Sequence, residues 1–288
     1  MDDVVDLRTT IGAVSIERDV VRVHGPEAIA FLQGQLSQDI EALAVGASAW
    51  SLLLQPTGKV EALLRATRGG DDDVLLDVGA GFGEAVRRRL ARFKLRTQVE
   101  LDLEARSGHA VRGPGADAVA PPGALPAGWP GVEGFDVLEG PPPTGVPLVY
   151  AGALEVLRIE VGVPAMGAEL TDATIPAEAG QWLIDASVSF TKGCYTGQEL
   201  VARIDSRGGN VPRPLRGLLV DGDPVPVGTT VGLAGKDVGV VTSSGWSPAL
   251  GAVALAPLAR SVELGTTVEL RRPDGIVATA TTAALPLR

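Results

Sequence analysis

The alternation of apolar and polar positions changes period several times along the chain. Over 13–25 ("AVSIERDVVRVHG"), Val21 and Val23 alternate with Val20 and Arg22, which predicts two short strands on either side of Arg18-Asp19. Pro26 suits a first helical position, so a helix is expected from there, ending within the polar, glycine-interrupted stretch 33–40. Residues 50–68 predict a strand, a turn at Pro56-Thr57-Gly58 and a second strand, and 73–80 predict a third. Over 83–95, Val86, Leu90, Phe93 and Leu95 fall near one face of an amphipathic helix whose arginines form a solvated face. Strand character returns over 99–107.

Two echoes follow. "VRVHGPEA" (21–28) resembles "GHAVRGPGA" (108–116): each is a strand running into Gly-Pro and then a helix start. This is either a structural duplication or the common punctuation of strand ends. Beyond residue 213, "GTTVGL" and "GTTVEL" each lead through a polar turn into a β-branched strand, which predicts two related hairpins in a small antiparallel barrel. Between the echoes, 120–147 is rich in proline and glycine and reads as a loop-heavy connection. In 154–164 ("LEVLRIEVGVP"), Leu157, Ile159 and Val161 alternate with Arg158 and Glu160, as in a strand with one core face. The other face carries either a surface ion pair or a Glu160 that faces a cavity. There a carboxylate accepts two parallel N–H bonds from an aminopyrimidine edge.

Composition narrows the class. The chain has 288 residues, 45% hydrophobic and 21% charged, a globular balance that suits about two domains, or three small ones. A net charge of -10 weighs against a nucleic-acid coat or a basic membrane-surface protein. No uncharged apolar run reaches the ~18 residues of a membrane span, and "MDDVVDLRTT" lacks the features of a signal peptide. A cytoplasmic protein is the expectation. One cysteine and two histidines, His24 and His109, exclude an internal disulfide and are too few for a metal or iron–sulfur site held by this chain alone.

The single cysteine lies in "SVSFTKGCYTGQELVAR" (187–203). "TGQE" has the spacing of a capping box, with Thr196 capping a helix and Glu199 reaching back. Cys194 is then just outside a helix N-terminus and two residues from Lys192, and both positive charges lower the pKa of a thiol. Gly193 and Gly197 leave it uncrowded. The alternative is a small buried core cysteine. Lys192, Arg203, Arg207, Arg213 and Arg216, against Glu199 and Asp205, make this region locally basic, either as an anion-binding loop or as an ordinary charged one.

Together, "FLQGQLSQDI", "LRIEVGVPAMGAEL", "IPAE", "VSFTKGCYTGQELVAR" and "VGVVTSSGWSPALG" resemble the YgfZ-type folate-binding proteins, relatives of the glycine-cleavage T-protein, an aminomethyltransferase. The resemblance covers nearly the whole chain, and "KGCYTGQE" is its most specific piece. It implies an α+β fold: a three-domain ring with mostly antiparallel sheets and a small C-terminal β-barrel. The expected division is a discontinuous folate-binding domain (1–47 and 101–212), an α+β ferredoxin-like domain (48–100) and the barrel (213–288).

By position, Glu160 matches the glutamate that holds the pterin. Lys192, Cys194, Tyr195 and Gln198 match the signature, with Lys192 and Cys194 carrying the chemistry. Tyr195, Gln198 and Arg203 join Glu160 as candidate cofactor-binding residues. The implied cofactor is tetrahydrofolate or a derivative. The implied role is assembly or repair of iron–sulfur enzymes, with client proteins or assembly factors as transient partners. T-proteins carry adjacent aspartates where this chain has Glu61-Ala62 in "TGKVEALL", a departure that disfavours aminomethyl transfer. A folate-dependent one-carbon transferase and an RNA-modification partner remain the alternatives, and the acidic total charge weighs against RNA.

Overall fold

The computed structural model describes residues 5–206, 208–272 and 275–288. Its first part runs β1 (Gly12–His24), α1 (Ala28–Gln35), β2 (Ser48–Leu54), β3 (Val60–Arg68), β4 (Asp73–Gly79), α2 (Gly83–Lys94), β5 (Glu100–Arg112), β6 (Leu125–Pro126) and β7 (Gly134–Val137). Three helices follow: α3 (Ala151–Val161), α4 (Gln181–Ser187) and α5 (Gln198–Asp205). The seven strands form one antiparallel sheet in the order β2-β3-β4-β1-β5-β7-β6. The stretch 48–100 thus contributes β2, β3 and β4 to the same sheet as β1 and β5.

Residues 12–24 form one strand, not two. Arg18-Asp19 does not break it because both side chains find tertiary partners. Arg18 donates to Asp77 of β4 at 2.6 Å. Asp19 accepts the backbone N–H groups of Gly81 and Gly83 at 2.9 and 2.8 Å, satisfying donors at the start of α2. β1 pairs with β5 from Gly12↔Arg112 to His24↔Glu100. The Gly-Pro echoes sit at opposite ends of this pair. A Cβ on Gly25 (φ +124) would lie 2.6 Å from Gln98 O, and one on Gly113 (φ +119) 2.4 Å from Thr10 O. Each glycine lets its strand end pass against the chain entering the other strand. A helix follows only the first; after Gly113-Pro114 there is a 3-10 turn, Asp117–Val119, so the second expected helix start is corrected.

One face of the sheet packs α1 and α2 around Val21, Val23, Leu32, Leu36, Leu64, Leu76 and Leu90. The other face carries a buried charge network. Arg65 pairs with Asp77 at 2.9 Å and with Asp136 at 3.0 Å, and Arg112 pairs with Asp136 at 2.9 Å. Each buried charge there is matched, as a dry interior requires.

The second sheet is built from β8 (Leu215–Val220), β9 (Thr230–Leu233), β10 (Lys236–Val240), β11 (Ser243–Ser247), β12 (Gly251–Pro257), β13 (Thr267–Arg272) and β14 (Gly275–Ala283). Its order is β10-β9-β13-β14-β8-β12-β11. The two echoed hairpins are β9-β10 and β13-β14, and they meet through β9 and β13. Pro273 and Asp274 lie outside the described residues. The sheet closes where Gly239 bridges Leu258. A Cβ on Gly239 would stand 2.5 Å from Pro257 O, so closure needs glycine there. The observed class is α+β, with more strand than helix.

The stretch read as a strand, 154–164, is the helix α3. Residues 156–161 are buried without a break, Arg158 and Glu160 included. A helix buried all round has no polar stripe to reveal its period. Ile159 packs on Leu215, Val253, Leu255 and Leu287, which joins α3 to the barrel.

Candidate functional site

The thiol loop, 192–198, docks onto the end of α1 and the β2–β3 turn. The Lys192 ammonium donates to the carbonyls of Gln33, Leu36 and Gln38 at 2.6, 2.7 and 2.9 Å. Those carbonyls lie at the end of α1, where the helix leaves acceptors unpaired and its dipole favours a cation. Burial pushes Lys192 down to about 8, against the upward pull of Asp39 and Glu41. Its three N–H bonds therefore serve backbone carbonyls, and the expected pairing of this charge with the thiol gives way to an anchoring role.

Three residues on, the Tyr195 ring is buried with Leu52, Leu54, Val60, Leu183 and Val201. Burial raises its phenol to about 12. The Tyr195 N–H donates to Gln198 Oε1 at 3.0 Å. The expected capping box at Thr196 is not formed: the position before α5 is Gly197, with φ +84 and no side-chain cap. Thr196 N–H instead donates to Gly34 O at 3.1 Å. Gly197 is required by proximity, since a Cβ there would meet Gln55 O at 2.5 Å. Cys194 stands between these anchors as an exposed free cysteine, which excludes the buried-core alternative. Arg203 is exposed on α5. Arg207 lies outside the described residues.

Glu160 is elsewhere. Its carboxylate is 2% exposed and pairs through Oε2 with Arg8 Nε. Its backbone carbonyl accepts the Leu287 N–H at 2.7 Å. Oε1 accepts no hydrogen bond among the described residues. No hydrogen bond or ion pair among them links Glu160 to the thiol loop. The two regions share Trp182 of α4, which packs both on the Tyr195 cluster and on Leu157 and Val161 of α3. Trp182 also stacks edge-on against Trp50, with centroids 6.2 Å apart.

Glu61 takes a third position. It lines a cleft of about 470 Å³ with Arg88, Arg89 and Arg92 of α2. Arg89 is buried, against the expectation that the arginines of this helix form a solvated face. Its neighbour Ala62 is 1% exposed and belongs to the core under α1 and α2.

Sequence reasoning did not single out Glu169 or Arg8. Glu169 accepts Arg158 Nη1 at 2.9 Å, the Ala165 N–H at 3.0 Å, and the hydroxyls of Thr242 and Ser243 at 2.6 Å each. It fixes α3 to the barrel and gives the "VTSS" stretch its structural meaning. The spacing "LRIExG…GAEL" held the only signal for it. Among the described residues no three His, Cys, Asp or Glu side chains group to hold a metal, and no helix is long and apolar enough to cross a membrane.

Residues 213–287 match the glycine cleavage T-protein C-terminal barrel domain. An aminomethyltransferase of Thermus thermophilus is 28% identical over 290 residues, covering 86% of this chain and 79% of the relative. A tRNA-modifying protein YgfZ of Edwardsiella ictaluri is 26% identical, over 66% of this chain and 65% of that protein. An uncharacterised protein of Haemophilus influenzae is 29% identical over 66% of this chain and 67% of its own length. The glycine cleavage system aminomethyltransferase T of Bartonella henselae has the same fold: TM-score 0.77, 22% identity, 97% of this chain and 87% of that one. The chain thus shares the fold of a T-protein and resembles, over most of its length, relatives named as aminomethyltransferases and as a YgfZ protein.

Proposed function

We propose that this chain is a tetrahydrofolate-binding accessory protein that supports iron–sulfur enzymes in the cytoplasm through Cys194, with client proteins or assembly factors as transient partners. One observation carries the thiol part: the signature loop is held on both sides, by Lys192 at α1 and by buried Tyr195, while the Cys194 between them is presented to solvent. A thiol displayed on a fixed loop meets a partner without an ordering cost. Lys192 then acts by placing the thiol. Arg203, exposed on α5, offers a cation to an anionic ligand.

The folate part rests on Glu160. A buried carboxylate with Oε1 free suits the aminopyrimidine edge of a pterin, and Arg8 orients the group through Oε2. A bound folate would supply one-carbon chemistry; the chain's own residues supply recognition. Aminomethyl transfer is disfavoured because Ala62 is core and Glu61 faces three arginines. The named aminomethyltransferase relatives keep it as the competing reading.

The test is calorimetric titration of tetrahydrofolate into wild type and Glu160→Gln. Loss of a charged hydrogen bond is expected to cost about 1.5–3 kcal/mol of binding. Equal affinity would sink the assignment of Glu160. Efficient glycine cleavage by the protein in place of a T-protein would establish the competing reading.

A further inference from the structure

We propose that the cleft between α2 and the β2–β3 turn binds a ligand carrying two or more neighbouring anionic groups, phosphate or carboxylate. The proposal does not rest on the folate reading, since Glu160 takes no part in this cleft.

The argument begins with charge. In a chain of net charge -10, the cleft gathers Arg88, Arg89 and Arg92 against one acid, Glu61. Arg88 and Arg92 are one helical turn apart, so they share a face of α2 and repel each other. Both are exposed, and neither makes an ion pair or hydrogen bond among the described residues. On the same helix, Arg87 shows the ordinary arrangement, bound to Glu84 at 2.9 Å through two nitrogens.

Arg89 adds the second observation. It is only 5% exposed, yet no carboxylate among the described residues forms an ion pair with it. Nη1 donates to Gln35 Oε1 at 3.2 Å and Nη2 to Leu54 O at 3.0 Å. Nε has no partner among the described residues. The guanidinium stacks on Phe93, 3.7 Å from the ring centroid. Burial pushes its pKa down, opposed by Glu61. A buried guanidinium without a counter-ion is costly to the fold. A dianionic ligand supplies the missing charge, with Arg88 and Arg92 closing on it in fork geometry. The site abuts the thiol loop through Gln55: a Cβ on Gly197 would lie 2.5 Å from Gln55 O.

The test uses the full chain, with inorganic pyrophosphate and tri-L-glutamate as probes and calorimetry as readout. The variant is the double substitution Arg88→Gln/Arg92→Gln, whose exposed positions leave the fold intact, as an unchanged Tm would verify. At least one probe is expected to bind wild type, more weakly as salt rises, with affinity at least about tenfold lower in the variant. Binding of pyrophosphate alone identifies a phosphorylated ligand, and of triglutamate alone a polycarboxylate. No binding of either probe below about 10 mM, or equal binding by the variant, would overturn the proposal.

Discussion

Lys192 and Cys194 are two residues apart and do opposite things. Lys192 turns inward to three carbonyls, and Cys194 faces solvent. Burial opposes the ammonium while Asp39 and Glu41 favour it; burial wins, leaving Lys192 at about 8. Between about pH 8 and the ordinary 10.5, the native protein therefore binds fewer protons at this group than the unfolded chain. Stability from this residue is then complete above 10.5 and is lost as the pH falls through 8. Urea unfolding of wild type and Lys192→Met should show a stability difference that shifts in favour of wild type from pH 8 to 10.5. A difference independent of pH would show that Lys192 titrates normally. For Cys194, iodoacetamide should alkylate the folded protein without denaturant, and a thiol that reacts only in urea would contradict its display on the loop.

Elements separate what periodicity reveals from what it hides. α3 ends at Gly162, where φ is +73 and a Cβ would meet Leu285 at 2.7 Å. Gly162→Ala is expected to cost about 1–3 kcal/mol from backbone strain, more if Leu285 cannot move, measured as a lowered urea midpoint. The helix α2 and the barrel hairpins were legible because each has a wetter face, and β2, β3 and β4 because their apolar runs are bounded by turn residues such as Pro56-Thr57-Gly58. α3 was not, since Arg158 and Glu160 are polar by type but buried by partners: Glu155 and Glu169 for one, Arg8 for the other. The same cause hid the continuity of β1, whose polar pair is matched by Asp77 and the start of α2. The signature loop was legible as a unit, yet the direction of Lys192 depended on α1, more than 150 residues earlier in the sequence. The failed cap at Thr196 has a tertiary cause as well, since its N–H is claimed by Gly34.

At the scale of the molecule, α3 links the sheet to the barrel, and Glu169 is the joint. It holds Arg158 on one side and Thr242 and Ser243 on the other. Glu169→Ala leaves Arg158 with the half-exposed Glu155 as its one remaining carboxylate among the described residues, takes the acceptor from Ser243 and leaves Thr242 only the longer of its two bonds, to Leu255 O. A loss of about 3–5 kcal/mol is expected by urea unfolding, and a loss under about 1 kcal/mol would mean that the joint is not held by this carboxylate. The molecule thus offers a rigid frame, a buried carboxylate at Glu160 and a displayed thiol at Cys194. In the proposed function the thiol is the working group. The most direct measurement is made in cells lacking the protein: the activity of an iron–sulfur enzyme after supply of wild type or Cys194→Ala, at matched protein levels. Wild type should restore activity and Cys194→Ala should leave it near the deficient level; full restoration by Cys194→Ala would contradict the account.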